Sequence, residues 1–177
     1  IVTIEAENGK LVYFPKKDIP RGDYSIIKAS ASLPVFSPAV KIGDKHYYDG
    51  GTADPIPVRY ALNQGCDKVL VVLTQPDGYR KKPQKGRLLY KLALHKYPQL
   101  IRAIQRRHIV YNETLDFIKK AEQDGRVIVL RPSVDLGAKR FCRDREKLER
   151  LYRLGMDDAQ SKWSIISSIF QNGGADT

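Results

Sequence analysis

At 177 residues, 42% hydrophobic and 29% charged, the chain has the size and composition of one soluble globular domain, or the larger part of one. No run approaches the roughly 18 consecutive apolar residues of a membrane-spanning helix, which excludes a helical span in this stretch. The net charge of +11 implies attraction to polyanions: an anionic lipid surface, nucleic acid or an acidic substrate.

Residues 1–14 read as a β-hairpin. Ile1–Glu7 is strand-like, Asn8-Gly9 is a strong two-residue turn signal, and Leu11–Phe14 returns. Lys16–Asp23 is a polar loop containing Pro20 and Gly22. Ser25–Leu33 reads as a short helix stopped by Pro34, with small residues Ala29, Ser30 and Ala31 suited to tight packing. The alternating segment Ala39–Tyr48 leads into Asp49-Gly50-Gly51. Pro57–Gln64 then reads as a helix with Gly65 as its C-cap. Val69–Leu73 is an unbroken apolar run, the pattern of a strand buried on both faces of a helix-covered parallel sheet. Residues 76–87 form a basic loop punctuated by Pro76, Gly78, Pro83 and Gly86.

Leu88–Arg107 reads as helix interrupted at Pro98, and Ile109–Gln123 as a further helix ended by Asp124-Gly125. Arg126–Leu130 is a second apolar strand, stopped by Arg131-Pro132, and is expected beside Val69–Leu73 in one sheet. From about residue 133 the chain is a helical extension: Asp144–Leu154, a break at Gly155, then Met156–Gln171. Leu148, Leu151, Tyr152, Trp163, Ile166 and Phe170 make an apolar stripe that reads as core packing. Basic residues cluster at Arg80-Lys81-Lys82 with Lys85 and Arg87, at Arg102, Arg106 and Arg107, and at Lys139-Arg140 with Arg143 and Arg145.

The most informative feature is Asp49-Gly50-Gly51 together with what precedes it. Upstream stand Ala29-Ser30-Ala31-Ser32-Leu33-Pro34-Val35-Phe36-Ser37-Pro38, and the acid falls at the end of a strand-like segment. The two glycines allow positive φ and close approach by other groups. This run resembles the patatin-like phospholipases, and the likeness continues through Thr52–Val58, Ala61–Gly65 and Val69–Leu73. The order from Lys85 to Pro132 is similar to the bacterial branch of that family. The resemblance implies a helix-covered, mainly parallel sheet in a three-layer α/β/α arrangement, and an acyl hydrolase using a Ser-Asp dyad. Asp49 maps onto the acid of the dyad, and Gly50 and Gly51 onto its glycine motif.

The chain also departs from the family. A nucleophilic serine of this kind needs a Gly-x-Ser-x-Gly turn, and Ser25, Ser30, Ser32, Ser37, Ser133, Ser161, Ser164, Ser167 and Ser168 all lack the flanking glycines. The glycine-rich oxyanion loop is missing too, and the chain opens with Ile1-Val2-Thr3-Ile4. The expectation is therefore that residues 1–177 are the C-terminal portion of a single patatin-like domain, with the nucleophile and oxyanion donors on an upstream segment of the same protein. The isolated chain is then expected to be inactive.

In a dyad the carboxylate contacts the serine hydroxyl directly, at roughly 2.6–3.2 Å between heavy atoms. A solvated aspartate, with a pKa of about 3.9, is a weak base at neutral pH, so such an acid needs a partly desolvated site. Tyr47, Tyr48 and the following glycines allow that. His46 is a poor relay partner, because residues 46 and 49 on an extended strand face opposite sides. His95 and His108 lie among lysines and arginines on predicted helices and are expected at the surface.

No cofactor is expected: the histidines and cysteines lack metal-ligand spacing, and there is no phosphate-cradling glycine loop. Cys66 and Cys142 read as two buried thiols and point to a reducing, cytosolic setting, and the basic clusters, in a lipid hydrolase, point to a peripheral place at the membrane. Two functions from different classes stay open. One is a lipid acyl hydrolase acting on a lipid or ester substrate. The other is a basic binding module for anionic membrane or RNA, although no RNA-recognition signature singles out a specific nucleic acid. For the hydrolase, Arg80, Lys81, Lys82, Lys85 and Arg87 are the expected contact with an anionic membrane surface.

Overall fold

The computed structural model describes residues 1–138 and 142–171. Lys139 and Arg140 of the basic clusters lie outside the described residues, as do the side chains of Arg87 and Phe170. The chain forms two compact units, Ile1–Pro57 with Lys81–Leu115, and Val58–Arg80 with Asp116–Thr177.

The first unit is built on a four-stranded sheet in the order β2-β1-β4-β3, with β1 Val2–Glu5, β2 Leu11–Tyr13, β3 Val40–Ile42 and β4 Lys45–Asp49. Every pairing in it is antiparallel, where the resemblance implies a mainly parallel sheet. Local turns explain the difference. Asn8-Gly9 reverses the chain between β1 and β2, and Gly43, at φ 59°, reverses it between β3 and β4. Ala39–Tyr48 is thus a hairpin and not one alternating segment.

Register places Ile4 opposite Tyr48 and Thr3 opposite Asp49. Ile4, Ala6 and Tyr48 face a core completed by Tyr90 and Leu94 of α3 (Arg87–Ala93 and its C-cap) and by Leu100 and Ile104 of α4 (Pro98–Gln123). Burial pushes the Tyr48 phenol above its ordinary pKa, and Tyr97, packed edge-on at 6.5 Å, adds to the shift. On the other face, the carboxylate of buried Glu5 is satisfied by Lys45 Nζ at 2.8 Å and Asn8 Nδ2 at 2.7 Å. Helix α1, Ser25–Ala31, packs against β1, β3 and β4. Pro98 opens α4, where its missing N–H costs nothing. The boundary expected near Arg107 does not exist, since α4 runs unbroken for 26 residues.

The second unit holds the parallel pair β5, Val69–Val72, and β6, Val127–Leu130, as the apolar runs predict. Its burial is one-sided. Val71, Val127 and Val129 are buried, whereas Val72 is 64% exposed, so the expectation of two covered faces fails for β5 among the described residues. Helix α2, Val58–Asn63, packs on β5, and the Arg59 guanidinium lies 3.9 Å over the Phe117 ring. Helix α5, Arg145–Ser161, continues through Gly155, because one glycine costs only about 1 kcal/mol and good helix formers flank it. The break comes at Lys162, whose ammonium donates to Val129 O at 2.9 Å, and α6 follows over Trp163–Gln171. The apolar stripe of α5 and α6 is core only in part: Ile166 of α6 is buried, whereas α5 buries no residue and Trp163 is 60% exposed.

Mixed helices and sheets, with one parallel strand pair, are consistent with the α/β class. Among the described residues no helix is long and apolar enough to cross a membrane.

Gly50 is the tightest point of the first unit. A Cβ there would stand 2.6 Å from Val2 Cγ2 and 2.7 Å from both Thr3 N and Val2 C. Two of these three neighbours are backbone atoms, so no rotamer change relieves the overlap. Gly50→Ala is expected to destabilise by at least about 2 kcal/mol in urea unfolding. An unchanged midpoint would show that β1 does not pass so close.

Candidate active site

Asp49 ends β4 and begins a 3-10 turn over Gly50–Thr52. Hydrogen bonds hold this short stretch from several sides. The Asp49 N–H donates to Ser32 O at 2.9 Å, just beyond α1. The Gly51 N–H donates to Asp49 Oδ1 at 2.8 Å, so the carboxylate caps its own turn. Arg107 of α4 donates from Nε to Gly51 O at 2.6 Å.

The glycines therefore have distinct tasks. Gly50 admits the backbone of β1. Gly51 lets the carboxylate fold back, since a Cβ there would lie 3.2 Å from Asp49 Oδ1. Sequence reasoning expects both glycines to leave the acid uncrowded, whereas Gly51 is in direct contact with it. One oxygen of Asp49 is thereby anchored. The other, Oδ2, accepts no hydrogen bond among the described residues. The side chain is half-buried, on the sheet face it shares with Thr3 and Tyr47. With one oxygen held and the other accepting no hydrogen bond among the described residues, the carboxylate can pair with a neighbouring hydroxyl.

The surrounding side chains have other roles. Ser30 Oγ donates to Val2 O at 2.8 Å and Ser32 Oγ to Lys28 O at 2.8 Å, which ties both to packing of α1. His46 Nδ1 lies 2.7 Å from Glu7 Oε1. Partial burial tends to raise the Glu7 pKa, but contacts from His46 outweigh it and hold the carboxyl below its ordinary value. His95 is exposed, as expected. His108 is not: it is half-buried in α4, and its Nδ1 is sealed from solvent without a partner among the described residues.

Strain lies nearby. Val35, in the turn following α1, has φ 76°, a left-handed conformation that a β-branched residue adopts only under constraint. Leu33 O accepts from Phe36 N at 3.1 Å and Ser37 N at 2.9 Å across it.

Arg107 is the residue that sequence reasoning missed. The pattern puts it in a basic cluster with Arg102 and Arg106. Those two are exposed, while Arg107 is half-buried and bonded to the motif. No local signal distinguishes the three, because the partner is 56 residues away. In the basic loop, Arg80 pairs with Asp116, and Lys81 lies with Nζ 5.3 Å from the Tyr111 ring centroid. The pairing raises the Arg80 pKa and lowers that of Asp116. Lys82 and Lys85 are exposed. Cys66 is exposed and Cys142 half-buried, so neither is the buried thiol expected. No three metal-ligating side chains converge among the described residues.

Residues 3–62 match the family described as patatin-like phospholipase, and residues 97–171 match a domain of unknown function, DUF6363. The chain is 29% identical over 134 residues to uncharacterized protein YjjU of Escherichia coli (strain K12), a match covering 71% of this chain and 38% of that protein. The first of these matches contains the whole Asp49-Gly50-Gly51 turn, and it supports the patatin-like phospholipases, a family of lipid hydrolases, as the one this chain resembles.

Proposed function

We propose that the chain supplies the acid of a patatin-like Ser-Asp dyad in a lipid acyl hydrolase, a phospholipase A or esterase. The observation that carries this reading is the Asp49 carboxylate itself. It ends its strand, one oxygen is held by the Gly51 N–H and the other is left without a hydrogen bond, inside the segment matching the family. The nucleophilic serine and oxyanion donors are assigned to an upstream segment of the same protein. The relative from Escherichia coli favours the bacterial branch. On this reading β5 and β6 belong to a helix-covered parallel sheet of a three-layer α/β/α arrangement.

The chemistry follows from that geometry. The serine hydroxyl attacks the ester carbonyl while Asp49 Oδ2 takes its proton, which gives an acyl-enzyme and an alkoxide leaving group that recovers the proton. Water then attacks the acyl-enzyme with Asp49 again as base, and the free acid leaves. Asp49 Oδ1 stays on Gly51 throughout, so the acid does not reorient between the two half-reactions. Arg107 acts as a positioning residue, holding the turn through Gly51 O.

Asp49→Asn retains a capping oxygen and loses the base. In the full-length protein it is expected to lower kcat on a p-nitrophenyl ester at least about 100-fold, with unfolding stability changed by less than about 0.5 kcal/mol. Turnover surviving the substitution removes Asp49 from the reaction. The isolated 177-residue chain is expected to show no Asp49-dependent turnover, since it lacks a nucleophile in the required setting.

Arg107→Ala is expected to lower kcat about 10- to 100-fold with KM little changed, because it loosens the base without touching substrate. Arg107→Lys should recover only part of the loss, since an ammonium does not reproduce the guanidinium geometry. A rise in KM alone would place Arg107 in substrate binding instead.

A further inference from the structure

We infer that the segment from Lys16 to Ile27 is an anionic-lipid docking surface that seats the proposed hydrolase on its bilayer. The choice of a bilayer as occupant rests on the lipid-hydrolase reading above. The surface itself rests on other observations. An open hollow of about 900 Å³ is bordered by Lys16, Lys17 and Arg21 together with Tyr24 and Ile27. Tyr24 is 61% exposed and Ile27 45% exposed, an aromatic and a branched aliphatic side by side in a cationic rim. Tyrosine, with an apolar ring and a polar tip, favours the boundary between headgroups and acyl chains.

The charges at this place are uncommitted. Lys16, Lys17 and Arg21 have no ion-pair partner among the described residues. Of the two carboxylates in the segment, Asp18 does not line the hollow. Asp23 lines the hollow and stays anionic there, its Oδ1 accepting from Ser25 N at 2.8 Å. Contacts from the Ser25 side chain and backbone hold its carboxyl below the ordinary value. In the basic loop after β5, Arg80 is paired with Asp116 and Lys81 lies against Tyr111, while Lys82 and Lys85 are exposed.

Position strengthens the assignment. Helix α1 carries Ile27 on its exposed side, and the Ser32 carbonyl just past its far end receives the Asp49 N–H. Seven helical residues span about 10 Å, so the surface and the acid lie one short helix apart in the same unit.

The test is vesicle co-sedimentation of the full-length protein carrying Asp49→Asn, so that lipid is not consumed. Vesicles of phosphatidylcholine are compared with vesicles containing phosphatidylglycerol, at low and high salt. Binding to the anionic vesicles is expected to fall about fivefold for each of Lys16→Gln, Lys17→Gln and Arg21→Gln, and the triple variant should lose most of its salt dependence. Tyr24→Ser with Ile27→Ser should weaken binding at both salt concentrations. All five positions border an open hollow, and circular dichroism checks that the fold is kept. Equal partition of parent and triple variant overturns the inference, and so does an anionic preference abolished only by Lys82→Gln with Lys85→Gln. Retention on RNA that is lost in the triple variant, without vesicle binding, also overturns it. Ester turnover of the protein with Asp49 intact reports on the hydrolase reading separately.

Discussion

The backbone of β1 crosses Gly50 with no room for a methyl group, and the geometry of the site follows from that crossing. Thr3 pairs with Asp49 in the ladder, and the next residue must let Val2 and Thr3 pass at backbone distance. The chain then turns at once, because the Gly51 N–H finds its acceptor on the acid two residues earlier. A carboxylate anchored in this way loses rotamer freedom before any substrate arrives, which is the condition for a well-placed base. Ser32 O and Arg107 fix the turn from outside it, one through the Asp49 N–H and the other through Gly51 O.

Local chemistry was legible in the sequence, and long-range consequence was not. Asn8-Gly9, Pro34, Gly65 and Asp124-Gly125 each act through neighbouring backbone, and each sits at the end of a predicted element. The apolar runs at Val69 and Val127 also pair as expected. The acid does end a strand as expected, although the segment before it is two strands and not one. The role of Arg107 was not legible, because nothing within one helical turn differs from Arg106 except what each side chain meets in space. The stripe on α5 shows the same limit from another side. Periodicity tells which side of a helix is apolar, and it does not tell whether anything covers that side. His108 departs from the surface expectation for the same reason, since charged neighbours in sequence do not decide whether a helix position is covered.

The excess positive charge is unevenly matched. Where carboxylates are available, cations are drawn into pairs: Lys45 with Glu5, Arg131 with Asp77 and Glu122, Arg153 with Glu149. These pairs engage only some of the chain's 20 acidic residues and leave other cations facing water. The exposed pairs among them add little stability, and they affect where the remaining field is strongest. A net charge counted from sequence cannot show that partition, because it depends on which side chains are within reach of each other.

Sequence families and compact units divide this chain differently. The patatin-like match stops at residue 62, and the match to the domain of unknown function begins at residue 97. Yet Arg107, from the second match, grips Gly51, from the first, and both belong to one compact unit. The start of the second match, up to Leu115, therefore belongs to the unit that holds the motif. Drift at position 107 is coupled to the motif it braces, and a gene fragment ending between the two matches would encode the acid without its brace. Selection on the turn is thus expected to be felt in a region whose own sequence carries no sign of chemistry.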